Sequence, residues 1–156
     1  MTGLFAPECY FCAMGEKPVL KSRKEIEVRF NELDPLGIVW HGNYIKYFEI
    51  GREDFGIKHG ICYTDLKREQ IDTPVVSVQC DYKKYVKYGE KLIIETQYVD
   101  NPAAKIILHY AILRGENSEV VAEGKTVQVF TDIEGNLLLI LPEFIVEWKR
   151  KWGLID

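Results

Sequence analysis

The feature that most constrains this chain is a single change of period. From about residue 42 to residue 58 the apolar positions follow a helix: Tyr44, Tyr47, Phe48, Gly51 and Phe55 fall on one face, while Lys46, Glu49, Arg52 and Glu53 lie mostly off it. Before it, residues 24–30 alternate, with Ile26, Val28 and Phe30 on one side and Glu25, Glu27 and Arg29 on the other, the pattern of a half-buried strand. After it come a short second helix at 64–70 and four strand-like stretches, at 75–82, 91–99, 105–114 and 120–131. Asp100-Asn101-Pro102 and Gly115-Glu116-Asn117 supply hairpin turns, and Pro142 opens a C-terminal helix reaching Trp152. One long helix among strands joined mostly by short turns predicts an α+β fold, with the helix laid on an antiparallel sheet. Gly51 in mid-helix costs about 1 kcal/mol relative to Ala, which close approach of another backbone would explain. Gly56 and Gly60 supply the stop.

The late strands are apolar on both faces, so the second face of the sheet is expected to be covered by the C-terminal helix, the N-terminal arm or a second subunit. An open sheet also has edges to protect. Both points favour a homo-oligomer, a dimer or a dimer of dimers (a homotetramer). The domain reading is an irregular arm over 1–23, broken by Gly3, Pro7, Gly15 and Pro18, and one domain over 24–156.

Composition excludes several classes. With 156 residues and a formal net charge of −4, nothing in the global charge calls for nucleic acid. The longest aliphatic run, Leu137 to Leu141, is far short of the ~20 residues of a membrane helix. Cys9 and Cys12 form a lone C-x-x-C without a second ligand pair, so no metal is implied and the thiols read as reduced. Met1 to Leu20 holds no basic leader and no continuous apolar region. Together these predict a cytoplasmic protein.

The chemistry concentrates in one block, from Val28 to Tyr44, which ends a strand, makes a sharp loop and opens the long helix. Unpaired peptide N–H groups at a helix start carry partial positive charge and can hold a developing oxyanion. A loop carboxylate just ahead could attack a carbonyl or activate water. Taken alone, Asp34 before Pro35 would be only a turn residue. Trp40 and Tyr47 read as core, His59 as a helix C-terminal cation, His109 as a structural strand histidine, and Glu49 with Arg52 as a helix-surface pair or a subunit contact.

In order, Arg29, Phe30, Glu32, Asp34, Gly37, Ile38, Val39, Trp40, His41, Asn43 and Tyr44, followed by Phe48-Glu49 and Arg52, resemble the 4-hydroxybenzoyl-CoA thioesterase family of hotdog-fold proteins, including its branch associated with the Tol–Pal gene cluster. Cys80-Asp81-Tyr82 and Tyr88-Gly89-Glu90-Lys91-Leu92 resemble a later segment, so the likeness spans about 26–131. Glu32, where the family usually has Asp, and Leu33 depart from the pattern. The resemblance implies a hotdog fold, an antiparallel sheet wrapped around one central helix, with a C-terminal helix added. It also implies hydrolysis of an acyl-CoA or acyl-carrier-protein thioester with no cofactor, CoA being part of the substrate. Asp34 matches the catalytic carboxylate, nucleophile or general base, and the His41 N–H matches the donor to the thioester carbonyl. Gly37, Trp40, Asn43 and Tyr44 fall on the substrate-binding positions, Lys105 roughly where a relative places basic residues for the nucleotide. Lys83, Lys84 and Lys87, interleaved with Tyr82, Tyr85 and Tyr88, are further candidates for phosphate contact. Two other readings stand beside this one: a (de)hydratase of 3-hydroxyacyl thioesters using His41 as base, and a non-catalytic acyl-thioester-binding or scaffold protein tethered through the arm.

Overall fold

The chain builds its core by laying one helix across the face of one sheet. The computed structural model describes residues 17–156. Most of the expected arm and the Cys9/Cys12 pair lie outside them. Strand β1 (Lys21–Glu27) leads through a 3-10 turn at Phe30–Glu32 into α1 (Asn43–His59) and α2 (Tyr63–Arg68). Strands β2 (Val75–Tyr82), β3 (Lys91–Tyr98), β4 (Lys105–Arg114) and β5 (Val120–Val129) follow, and α3 (Glu143–Lys151) closes the chain. All pairings are antiparallel and the strand order is β1-β3-β4-β5-β2.

The period change is met as expected. Tyr44, Tyr47, Phe48, Gly51 and Phe55 are all buried, against Leu92, Ile94, Leu108, Tyr110 and Ile112 of the sheet. Phe48 stacks on Tyr110 with ring centroids 4.5 Å apart. Gly51 does mark a close approach, but to side chains: a Cβ there would lie 2.5 Å from Thr96 Oγ1 and 2.6 Å from Ile94 Cγ2. Gly60, at φ +78°, ends the helix, and its N–H donates to the Gly56 carbonyl.

The bounds of β1 and the place of the C-terminal helix are corrected. Strand β1 starts at Lys21, ahead of the expected 24, and stops before Phe30. The 3-10 turn breaks the alternation, so Phe30 points to solvent while Val28 stays buried. His59 ends α1 as expected, but its ring is buried: it stacks on Phe55 and its Nδ1 bonds the Phe55 carbonyl. The C-terminal helix does not cover the second face of the sheet. It packs at the end of α1, where Trp148 and Trp152 both donate their indole N–H to the His59 carbonyl, at 2.7 and 3.0 Å. Lys149, fully buried, ties the same helix to Asp100 at 3.0 Å. Across the middle of the second face runs a polar row in register, Lys21, Gln97, His109, Lys125 and Gln79. Among the described residues no helix is long and apolar enough to cross a membrane.

Candidate active site

The site is set by a tight hairpin between the 3-10 turn and α1. Leu33 bridges Val39, the Asp34 N–H donates to Ile38 O at 2.9 Å, and the Gly37 N–H donates to Asp34 O at 2.9 Å. This is a turn with Pro35 in its favoured second position and Gly37 in the left-handed region, φ +74°, which few side chains adopt. Asp34 Oδ1 accepts the Leu36 N–H at 2.8 Å, so the carboxylate orients its own loop.

The hairpin is clamped to its surroundings. The Glu32 carbonyl accepts both the Trp40 N–H (2.9 Å) and Asn43 Nδ2 (2.8 Å). The Glu32 carboxylate accepts the Arg29 N–H (2.7 Å) and the Tyr47 hydroxyl (3.0 Å). On the other side, Val39 N–H donates to Val86 O at 2.8 Å, and the Tyr82 hydroxyl donates to His41 O at 3.0 Å.

Asp34, Ile38, His41, Tyr44, Tyr82 and Lys84 are among the residues lining one cavity of about 370 Å³. Among the described residues the His41 N–H donates to no acceptor. His41 sits one residue ahead of Gly42, the helix N-cap, and no side chain caps the helix. The His41 ring therefore lines the cavity and does not cap the helix; it lies edge-on to Tyr82, centroids 6.4 Å apart. Burial, then the neighbouring Cys80 thiol and Tyr82 phenol, push the Tyr44 phenol up to about 12, against a smaller opposing pull from Arg114. Burial likewise raises Tyr82, with the Cys80 thiol adding to it. Both phenols are neutral at ordinary pH and present hydrogen-bonding walls without charge. A carboxylate, an unpaired peptide N–H at a helix start and an uncharged wall together can hold and attack an acyl carbonyl.

The cavity thus gathers Asp34, His41 and Tyr44, with Lys83, Lys84 and Tyr85 also on its wall. The other expected residues stand elsewhere. Gly37 shapes the hairpin and is not on the wall. Asn43 is buried, its side chain spent on the Glu32 carbonyl. Trp40 is neither core nor cavity wall; it is 47% exposed, and its ring covers Gly42, where a Cβ would lie 2.1 Å from it. Lys105 starts β4, while Tyr82 is in register with Ala122 and Ile112 near the far end, so within one chain Lys105 lies roughly 23 Å along the sheet from the cavity. Two working residues carried little sequence signal. Glu32 reads as a departure from a motif, yet it holds the loop; Tyr82 reads as part of the Cys80-Asp81-Tyr82 segment with no role of its own, yet its hydroxyl holds the His41 carbonyl.

Residues 28–149 match the model of the thioesterase-like superfamily. The chain belongs to that superfamily. It is 38% identical over 91 residues to a Bacillus subtilis protein named "Putative acyl-CoA thioesterase YneP", covering 58% of this chain and 66% of that protein, just under two thirds of its length. It is 26% identical over 117 residues to the 4-hydroxybenzoyl-CoA thioesterase of a Pseudomonas species, covering 71% of this chain and 83% of that enzyme. The crystal structure of the DHNA-CoA thioesterase from Staphylococcus aureus superposes with a TM-score of 0.77 at 28% identity, covering 86% of this chain and 89% of that one. The fold is therefore the hotdog-type thioesterase fold of α+β class.

Proposed function

We propose that this chain hydrolyses an acyl-CoA thioester to a free acid and CoA. The carrying observation is the convergence of Asp34 and His41, with its unpaired N–H, on one cavity at the start of α1. The thioester carbonyl accepts the His41 N–H, which strengthens as negative charge grows on the oxygen. Asp34 either adds to the carbonyl carbon or takes a proton from the water that does. The C–S bond then breaks, CoA leaves as a thiolate that takes up a proton, and water supplies the acid's new oxygen. Lys83 and Lys84 on the cavity wall are suited to the phosphates of CoA. Relatives named for CoA thioester hydrolysis support the substrate class. The narrower Tol–Pal-associated placement rests on motif order alone.

Strand β2 supports a two-fold assembly. It is an edge strand with Val75, Val76 and Val78 all exposed, and the one charge it carries, Asp81, lies near its far end, away from these valines. Antiparallel pairing of β2 with itself would satisfy that edge and close as a dimer.

The test is thiol release from a panel of acyl-CoAs of graded chain length. Asp34→Asn should lower kcat/KM by about 10²-fold or more against the best substrate, in keeping with loss of a general base or nucleophile, while the melting temperature stays near that of the wild type. Equal hydrolysis by the Asn variant would remove the mechanism.

A further inference from the structure

A second cavity, of about 240 Å³, opens between α1, α2 and the paired ends of β4 and β5. Its walls include Phe55, Ile61, Leu66, Ile106 and Leu108, with Gln128 on the same surface. Gln128 is 3% exposed and its Oε1 has no hydrogen-bond partner. Its Nε2 donates to the Thr73 carbonyl at 3.4 Å. A carbonyl only accepts, so the amide's N–H end must face Thr73 and its oxygen is the free end. At the cavity, Glu49 and Arg52 pair with each other and leave this oxygen alone. A buried acceptor without a partner in an apolar hollow is costly unless something bound there donates to it.

The cavity also has a defined place. Thr73 borders it just ahead of β2, whereas the Asp34 cavity lies at Tyr82, the other end of that strand. In an antiparallel self-pairing of β2, the start of one strand lies against the end of the other. The Gln128 cavity of one copy then faces the Asp34 cavity of its partner.

We propose that this cavity receives the acyl group of the thioester, and that Gln128 makes the enzyme select acyl groups carrying a hydrogen-bond donor, such as a hydroxyl. The inference rests on the thioesterase reading and adds to it the residue that sets specificity. The cavity suits a ring-sized or short branched group. A site built around a buried acceptor rejects the analogue lacking the donor, because the acceptor is then left unpaired.

The experiment compares kcat/KM for benzoyl-CoA against its ring-hydroxylated forms, and for butanoyl-CoA against 3-hydroxybutanoyl-CoA. The wild type should favour at least one hydroxylated member by roughly tenfold to a hundredfold. Gln128→Met, which keeps the length and removes both polar atoms, should narrow that ratio to about twofold, with a melting curve confirming that it folds. Calorimetric binding of the free acids to the wild type forms a second arm that needs no turnover and no variant. If no acyl-CoA is hydrolysed but the hydroxylated acid binds more tightly, the thioesterase reading fails and the cavity assignment stands. No preference for the donor in either arm, or a preference that survives in Gln128→Met, overturns the proposal.

Discussion

Tyr47 shows how a side chain away from the cavity can govern it. Its ring is core, but its hydroxyl donates to Glu32, and the backbone of Glu32 holds both Trp40 and Asn43 against the start of α1. The loop bearing Asp34 is thus fixed to α1, just behind the His41 N–H, through the Glu32 carboxylate and the Tyr47 hydroxyl. Tyr47→Phe removes a hydrogen bond to a charged group, expected to cost about 1.5–3 kcal/mol of stability. It should lower kcat several-fold with KM little changed, since the loop loses position and the cavity wall keeps its residues. Steady-state kinetics beside urea melts would check this; unchanged kcat in a destabilised protein would reduce the clamp to a structural part. Such a clamp was hard to see in the sequence. The block from Val28 to Tyr44 marks Asp34 by its place in an ordered motif, and His41 only by its position just ahead of α1, because a peptide N–H leaves no side-chain signature. For Glu32, Asn43 and Trp40 the sequence is less informative, because whether a polar or aromatic side chain meets ligand, backbone or solvent depends on a 3-10 turn that leaves no periodic trace. Gly37 was legible as a position of unusual backbone; that it shapes the hairpin without reaching the cavity was not.

At the scale of elements, legibility followed length and repetition. Strands β2 and β4 fall where alternation and turn residues put them, and α1 follows its 3.6-residue stripe. The start and end of β1 and the placement of α3 did not follow. Both depend on tertiary partners: α3 docks through two indoles on the His59 carbonyl and a buried Lys149, contacts between residues distant in sequence. Gly51 shows local and tertiary terms in conflict. By propensity alone, Gly51→Ala in α1 gains about 1 kcal/mol. Its new methyl, however, would press on Thr96 and Ile94, two β-branched residues with little freedom to move in the middle strands. Overpacking of this kind costs typically 1–3 kcal/mol, which against the propensity gain of about 1 kcal/mol leaves a net loss of up to about 2 kcal/mol in urea denaturation. A gain in stability would show that α1 can lift off β3 without cost.

For the whole molecule the decisive surface is the β2 edge. The described residues complete a helix-on-sheet core, yet they leave the outer edge of β2 without a strand partner, with valines exposed at 38%, 58% and 43%. They also leave two cavities at opposite ends of that strand, one with a carboxylate and a free N–H, the other with a free acceptor. One operation, a two-fold axis through β2, satisfies the edge and brings the cavities together in pairs. Charged side chains on an edge strand oppose such pairing. Val76→Lys combined with Val78→Lys should therefore convert a dimer to a monomer at micromolar concentration, measured by light scattering on a sizing column. Because neither valine lines either cavity, each half-site would remain built in the monomer. Hydrolysis should nonetheless fall by tenfold or more and recover with rising protein concentration, as expected when activity follows assembly by mass action. A wild-type chain that is monomeric and fully active would separate the two cavities and sink the shared site.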